Sequence, residues 1–153
     1  MIIEKPLISN IINLYLRIIS KLDKIPLTLL IFFIRVWMAR IFWYSGLTKI
    51  ADWESTVALF KYEYKVPIIS PEIASILSTA VELCCPVLLI LGLATRLATI
   101  PMIFMVIIIE ITYLDMREHY YWIMLLLMIL TYGPGKISLD NLLKTTTKII
   151  IRK

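Results

Sequence analysis

Long apolar runs, separated by short polar clusters, set the pattern of this chain. Leu83–Thr95 and Ile100–Ile109 contain no charged residue. A helix needs roughly 20 mainly apolar residues to cross the hydrocarbon core of a bilayer. Four segments fit that pattern, at 27–46, 73–93, 97–114 and 119–133, the last being the shortest. Only a few residues around Ala94–Thr95–Arg96 separate the second from the third, so these two are expected to be antiparallel neighbours. Pro26 before the first span and Gly133–Pro134–Gly135 after the fourth are sharp stops.

Three shorter stretches have helical periodicity without the length to span. Within 1–25, Ile8, Ile11, Ile12, Tyr15, Ile18, Ile19 and Leu22 share a face opposite Asn10, Asn13, Arg17, Lys21 and Lys24. That pattern describes an amphipathic helix lying in the interface. Asp52 is placed to cap a short external helix carrying Trp53, Val57, Phe60 and Tyr64, which Val66–Pro67 ends. In 138–153, Leu139, Leu142, Leu143 and Thr146 form a face opposite lysines. The expected fold is all-α. It is one domain over 1–153, an integral membrane four-helix bundle with amphipathic helices at both ends and a short external helix between spans one and two.

Composition strengthens the membrane reading. The 153 residues are 60% hydrophobic and 18% charged, against about 45–50% and about 25% in soluble domains. Charge then orients the chain. Lys5, Arg17, Lys21, Lys24, Arg96, Lys136, Lys144, Lys148, Arg152 and Lys153 fall on one side, and Lys49, Lys61, Lys65 and Arg117 on the other. This asymmetry predicts a multi-pass protein of a bacterial-type inner membrane with both termini cytoplasmic. The basic ends read as anchors to anionic lipid, not as a nucleic-acid surface. Residues 1–26 lack a clean signal-peptide core, so the first span is expected to act as an uncleaved anchor.

Chemistry is expected where ionisable residues enter hydrocarbon, because each is costly there and needs a partner. Arg35, Arg40, Glu82 and Glu110 lie within the predicted spans. Counting at roughly 1.5 Å per residue pairs Arg35 with Glu82 near the midplane and Arg40 with Glu110 above them. Such layers either hold helices in register or line a binding site. Glu110, Asp115, Glu118 and His119 cluster at the external end of spans three and four, where a solvated loop with Arg117 competes with a proton relay or metal site. Cys84–Cys85 lacks redox spacing and reads as packing, as do Met102, Met105, Met124 and Met128. No metal set is expected. One histidine also excludes bis-histidine haem ligation within the chain.

Arg35, followed by Phe42-x-x-Ser45–Gly46-x-x-Lys49, resembles the opening pattern of DoxX-type membrane proteins. Glu82 with Leu91–Gly92–Leu93–Ala94–Thr95–Arg96–Leu97–Ala98 is similar to that family's glycine-containing turn, and Tyr132–Gly133–Pro134–Gly135–Lys136–Ile137–Ser138–Leu139–Asp140 is the most specific match. The resemblance implies a four-helix bundle and a link to quinone-coupled redox chemistry. It also marks Arg35, Lys49, Glu82 and the Gly133–Asp140 turn as characteristic positions. Gly46 is expected to ease departure from the first helix, Lys49 to sit at the outer interface, and Asp140 to favour the start of the last helix.

Candidate ligand-binding residues are therefore Arg35, Arg40, Lys49, Glu82, Glu110 and His119, with no catalytic residue assigned. Gly46, Gly92, Gly133, Pro134, Gly135 and Asp140 are the structural motif. Three readings compete. The first is a redox-linked accessory that binds a quinone or lipid-like molecule and takes electrons from a soluble or membrane partner. The second is a non-enzymatic scaffold, and the third a small carrier acting as a homo-oligomer.

Overall fold

A computed structural model describes residues 10–17, 19, 26–65, 68–112 and 117–151. The described elements are helices: α1 (10–17), α2 (Leu27–Ala51), α3 (Trp53–Leu59), α4 (Pro71–Leu91), α5 (Thr95–Thr112), α6 (Arg117–Tyr132) and α7 (Leu139–Ile151). A π-helical turn, Phe60–Tyr64, continues α3. Three helices, α2, α4 and α5, are long and apolar enough to cross a membrane. The 16 residues of α6 make a shorter rod, roughly 24 Å at 1.5 Å per residue. It packs mainly on α5 and also reaches α2, while α2 packs most extensively on α4.

Local chemistry explains where these helices begin and end. Ser70 accepts a hydrogen bond from the Ile73 N–H at 3.4 Å, and Pro71 supplies a preset φ at the first helical position of α4. Gly92 closes the same helix in the left-handed region, at φ +68°. Its N–H reaches the Leu89 carbonyl, and the Leu93 N–H reaches Leu88, so carbonyls otherwise left bare at the helix end are satisfied. Asp52 caps α3 by accepting from the Ser55 N–H at 3.0 Å, as the sequence predicts. Hydrogen bonds from Ser55 hold its carboxyl below the usual aspartate range.

The bundle core is built from one stripe of each long helix. Ile31, Met38 and Ala39 of α2 meet Leu89 of α4, Met102 and Val106 of α5, and Leu126 and Ile129 of α6. One end of the bundle carries the α4–α5 turn and the start of α7, and the other carries α3.

The first span runs to Ala51, five residues beyond its predicted end, and Gly46 lies inside it. Gly46 therefore serves packing, not helix departure. A Cβ there would stand 2.7 Å from Leu83 Cδ2 and 3.1 Å from Glu82 Cβ, so hydrogen alone permits α2 and α4 to approach this closely. The short helix expected between the first two spans is present as α3, but Val66–Pro67 and Asp115 lie outside the described residues. Of the N-terminal amphipathic stretch, residues 10–17 are helical and exposed, while Ile8, Ile18, Leu22, Lys21 and Lys24 lie outside.

Candidate functional site: a central cavity with a polar wall

Arg35 is 1% exposed, yet its partner is not Glu82. Its Nε donates to the Leu89 carbonyl at 2.7 Å and its Nη2 to Ile90 at 2.8 Å. Nη1 donates to Pro134 at 2.7 Å and to Ile137 at 2.8 Å. The guanidinium thus ties the last turn of α4 to the Gly133–Ile137 segment. Side chains on a helix lean toward its N-terminus, which carries this guanidinium away from Glu82. Asp140 completes the clamp. Its Oδ1 accepts from the Ala94 N–H at 2.8 Å and its Oδ2 from Thr95 at 3.1 Å, so it caps α5, not its own helix. Ser138 performs the latter task by accepting from the Asn141 N–H at 3.2 Å. A Cβ on Gly92 would lie 2.6 Å from Arg35 Nη2 and 2.5 Å from Ser138 Cβ, so glycine there also makes room for the clamp.

Glu82 instead meets Lys49. Lys49 Nζ donates to Glu82 Oε1 at 2.7 Å, and Ser45 Oγ donates to the same oxygen at 3.0 Å while accepting from Nζ at 3.1 Å. Lys49 is 8% exposed, not at an open interface. The N-terminal lean of helical side chains turns its ammonium inward from the last turn of α2. Thr56 on α3 donates to the Lys49 carbonyl at 3.0 Å, which fixes α3 above it. The second oxygen of Glu82 is buried with no hydrogen-bond partner among the described residues.

Across from this cluster, His119 Nδ1 and Glu110 Oε2 lie 2.5 Å apart, with both side chains largely buried. The solvated-loop expectation therefore fails for these two, because the first turn of α6 packs inward against α5. Glu118 and Arg117 do remain exposed. The His119 ring lies 5.1 Å from that of Trp122, and Trp122 lies 6.3 Å from Phe42.

These two groups face one cavity of about 160 Å³, lined by Ser45, Lys49, Glu82 and His119 among apolar side chains of α2, α5 and α6. It has two neighbours. An open polar vestibule of about 650 Å³ beneath α3 shares Ser45 and Lys49 with it. A nearly apolar groove of about 190 Å³ between α4, α5 and the π-helical turn shares Tyr64, Met105 and Ile109. The buried centre thus adjoins an open side bearing hydroxyl and charged side chains and an apolar side.

The family model described as DoxX matches residues 30–114, more than half of the chain. The chain belongs to the DoxX family. No curated protein and no solved structure matches it. The matched stretch of this DoxX protein holds Arg35, Arg40, Lys49, Glu82 and Glu110, while His119 and the Gly133–Asp140 turn lie beyond it.

Arg40 and Glu110 do not form the expected pair. Arg40 lies on the exposed face of α2, with Cζ 5.8 Å from the centre of the Tyr44 ring. Five residues rotate a helix by about 140° beyond a full turn, so burying Arg35 turns Arg40 outward. Ser45 is the site residue that single-residue reasoning missed. Its signal was the i, i+4 spacing with Lys49 on the face that also carries Phe42.

Proposed function

We propose that this DoxX protein is a four-span inner-membrane protein whose central cavity holds the headgroup of a quinone or similar lipid-like molecule, as a redox-linked accessory subunit. The carrying observation is the Glu82 carboxyl on the cavity wall, whose second oxygen is buried with no hydrogen-bond partner among the described residues, beside a cavity that adjoins an apolar groove. A buried acceptor left bare costs about 1–3 kcal/mol, and a hydroxyl of the reduced, quinol form would remove that cost, the oxidised quinone carrying only acceptor oxygens there.

The residues suit such a molecule. Lys49 offers an ammonium donor to a carbonyl oxygen, Glu82 an acceptor, and Ser45 a hydroxyl that serves either way. Phe42 and Trp122 offer aromatic walls, and the Tyr64–Met105–Ile109 border leads toward a groove suited to an apolar tail. A bound quinone supplies two-electron, two-proton chemistry, with electrons delivered by a partner. Ser45 and Lys49, shared with the vestibule, hold exchangeable protons on its open side.

In this reading α6 is the fourth span, supported by its packing on α5 and α2. Both termini are cytoplasmic, supported by the excess of Lys and Arg on that side. α7 lies in the interface, its exposed Leu139, Leu142 and Leu143 toward lipid.

Extraction into polymer-bounded native discs, followed by solvent extraction and chromatography, tests the proposal. Wild-type protein should retain quinone, or another defined amphiphile, near one per chain, and Glu82→Gln with Lys49→Met should lose it. Retention of bulk membrane lipid alone, in unchanged proportions, overturns the binding reading and leaves the scaffold.

A further inference from the structure

We infer that the α2–α6 face around Arg40 seats a transmembrane helix of a different protein, and that a carboxylate on that helix pairs with the Arg40 guanidinium. Arg40 is the fourteenth of the 25 residues of α2, roughly 20 Å from one end and roughly 17 Å from the other. Ionisable groups at that depth almost always face protein, because an arginine at the helix centre costs about 2.5–3.5 kcal/mol or more. Here the group faces outward. Among the described residues its polar contact is the Tyr44 ring alone, which neutralises no charge.

The surface beside it is shaped to receive a rod. Phe33, Ile34, Val36, Trp37 and Arg40 of α2 and Leu125 of α6 line a shallow groove of about 390 Å³. Phe33 is 60% exposed and Trp37 57% exposed. An exposed arginine between the exposed rings of Trp37 and Tyr44 supplies the residue types that anchor interfaces.

Charge decides the occupant. The carboxylates of α2, α4, α5 and α6 are Glu72, Glu82, Glu110 and Glu118. Glu82 and Glu110 are turned into the bundle toward Lys49 and His119. Glu72 and Glu118 lie in the first turns of α4 and α6, at the α3 end. A second copy of this chain therefore brings another guanidinium and no carboxylate at the depth of Arg40. A headgroup phosphate reaches mid-helix only if the bilayer thins around it. A foreign helix with an intramembrane Asp or Glu meets the charge in place.

The test uses the full chain, fluorescently labelled and reconstituted in phosphatidylcholine vesicles at alkaline pH. Its probe is a leucine-rich transmembrane peptide with one central Asp, or Asn in its place. Energy transfer should report association with the Asp peptide. That association should weaken by about tenfold or more with the Asn peptide or with Arg40→Gln, and persist with Arg40→Lys. Equal transfer for both peptides, or an unchanged signal in Arg40→Gln, overturns the proposal. So does transfer between copies of the chain that Arg40→Gln abolishes, which would make the occupant a second copy. Displacement of the Asp peptide by added phosphatidylglycerol would assign Arg40 to a lipid phosphate and also overturn it.

Discussion

Lys49 Nζ and Glu82 Oε1 lie 2.7 Å apart inside the bundle, joined across 33 positions of sequence. The close approach of α2 and α4 at Gly46 sets this pair, and Ser45 bridges it. The pair stands on the wall of the central cavity, so stability and the proposed ligand capture would rest on the same two side chains.

Removing one member should cost more than removing both. Lys49→Met or Glu82→Gln leaves the other group without its natural partner, at about 3–5 kcal/mol where a full charge stays buried. Lys49→Met with Glu82→Leu should recover most of that loss, because neither charge is then desolvated. Unfolding midpoints followed by tryptophan fluorescence measure the difference. Strictly additive losses would show that the two residues do not act as a pair.

Arg35 should matter for stability and not for the cavity. Arg35→Gln withdraws donors from four carbonyls at the junction of α4 with the Gly133–Ile137 turn, which should cost roughly 3 kcal/mol or more. Arg35→Lys should restore only part, since an ammonium lacks the planar fork. Hydrogen exchange at Ala94, Thr95 and Asp140 should accelerate in both variants while the Lys49–Glu82 region keeps its protection. Loss of protection around Glu82 first would contradict the clamp.

Gly46→Ala should push α2 from α4 unless Leu83 yields. The added carbon would stand 2.7 Å from Leu83 Cδ2, and such overpacking costs about 1–3 kcal/mol. Leu83→Ala made on top of it should relieve that strain, at the expense of its own lost packing, so the two changes should be non-additive in a double-mutant cycle. A coupling near zero would mean that the helices separate there without strain.

The helices were legible because their apolar runs and stop signals are local. Pro26 and Asp52 mark ends through chemistry that acts within a few residues. The ionisable residues were legible as a set, since a charge in an apolar run is costly wherever it points. Their partners were not legible. Depth counted along separate helices assumes that the helices begin level, whereas the last turn of α4 lies beside Arg35, the ninth residue of α2. This stagger gives Arg35 carbonyls in place of Glu82.

The sequence by itself determined the membrane setting, the long helices, the capped α3 and the residues that demand partners, because hydrophobic burial and capping are properties of short stretches. Only the tertiary structure decided that Lys49 joins Glu82, that His119 joins Glu110, that Arg35 clamps backbone and that Arg40 faces outward. Each of those outcomes depends on helix stagger and rotation. Both are set by the packing of whole apolar stripes and by Gly46 at the contact, which no single stretch of sequence contains.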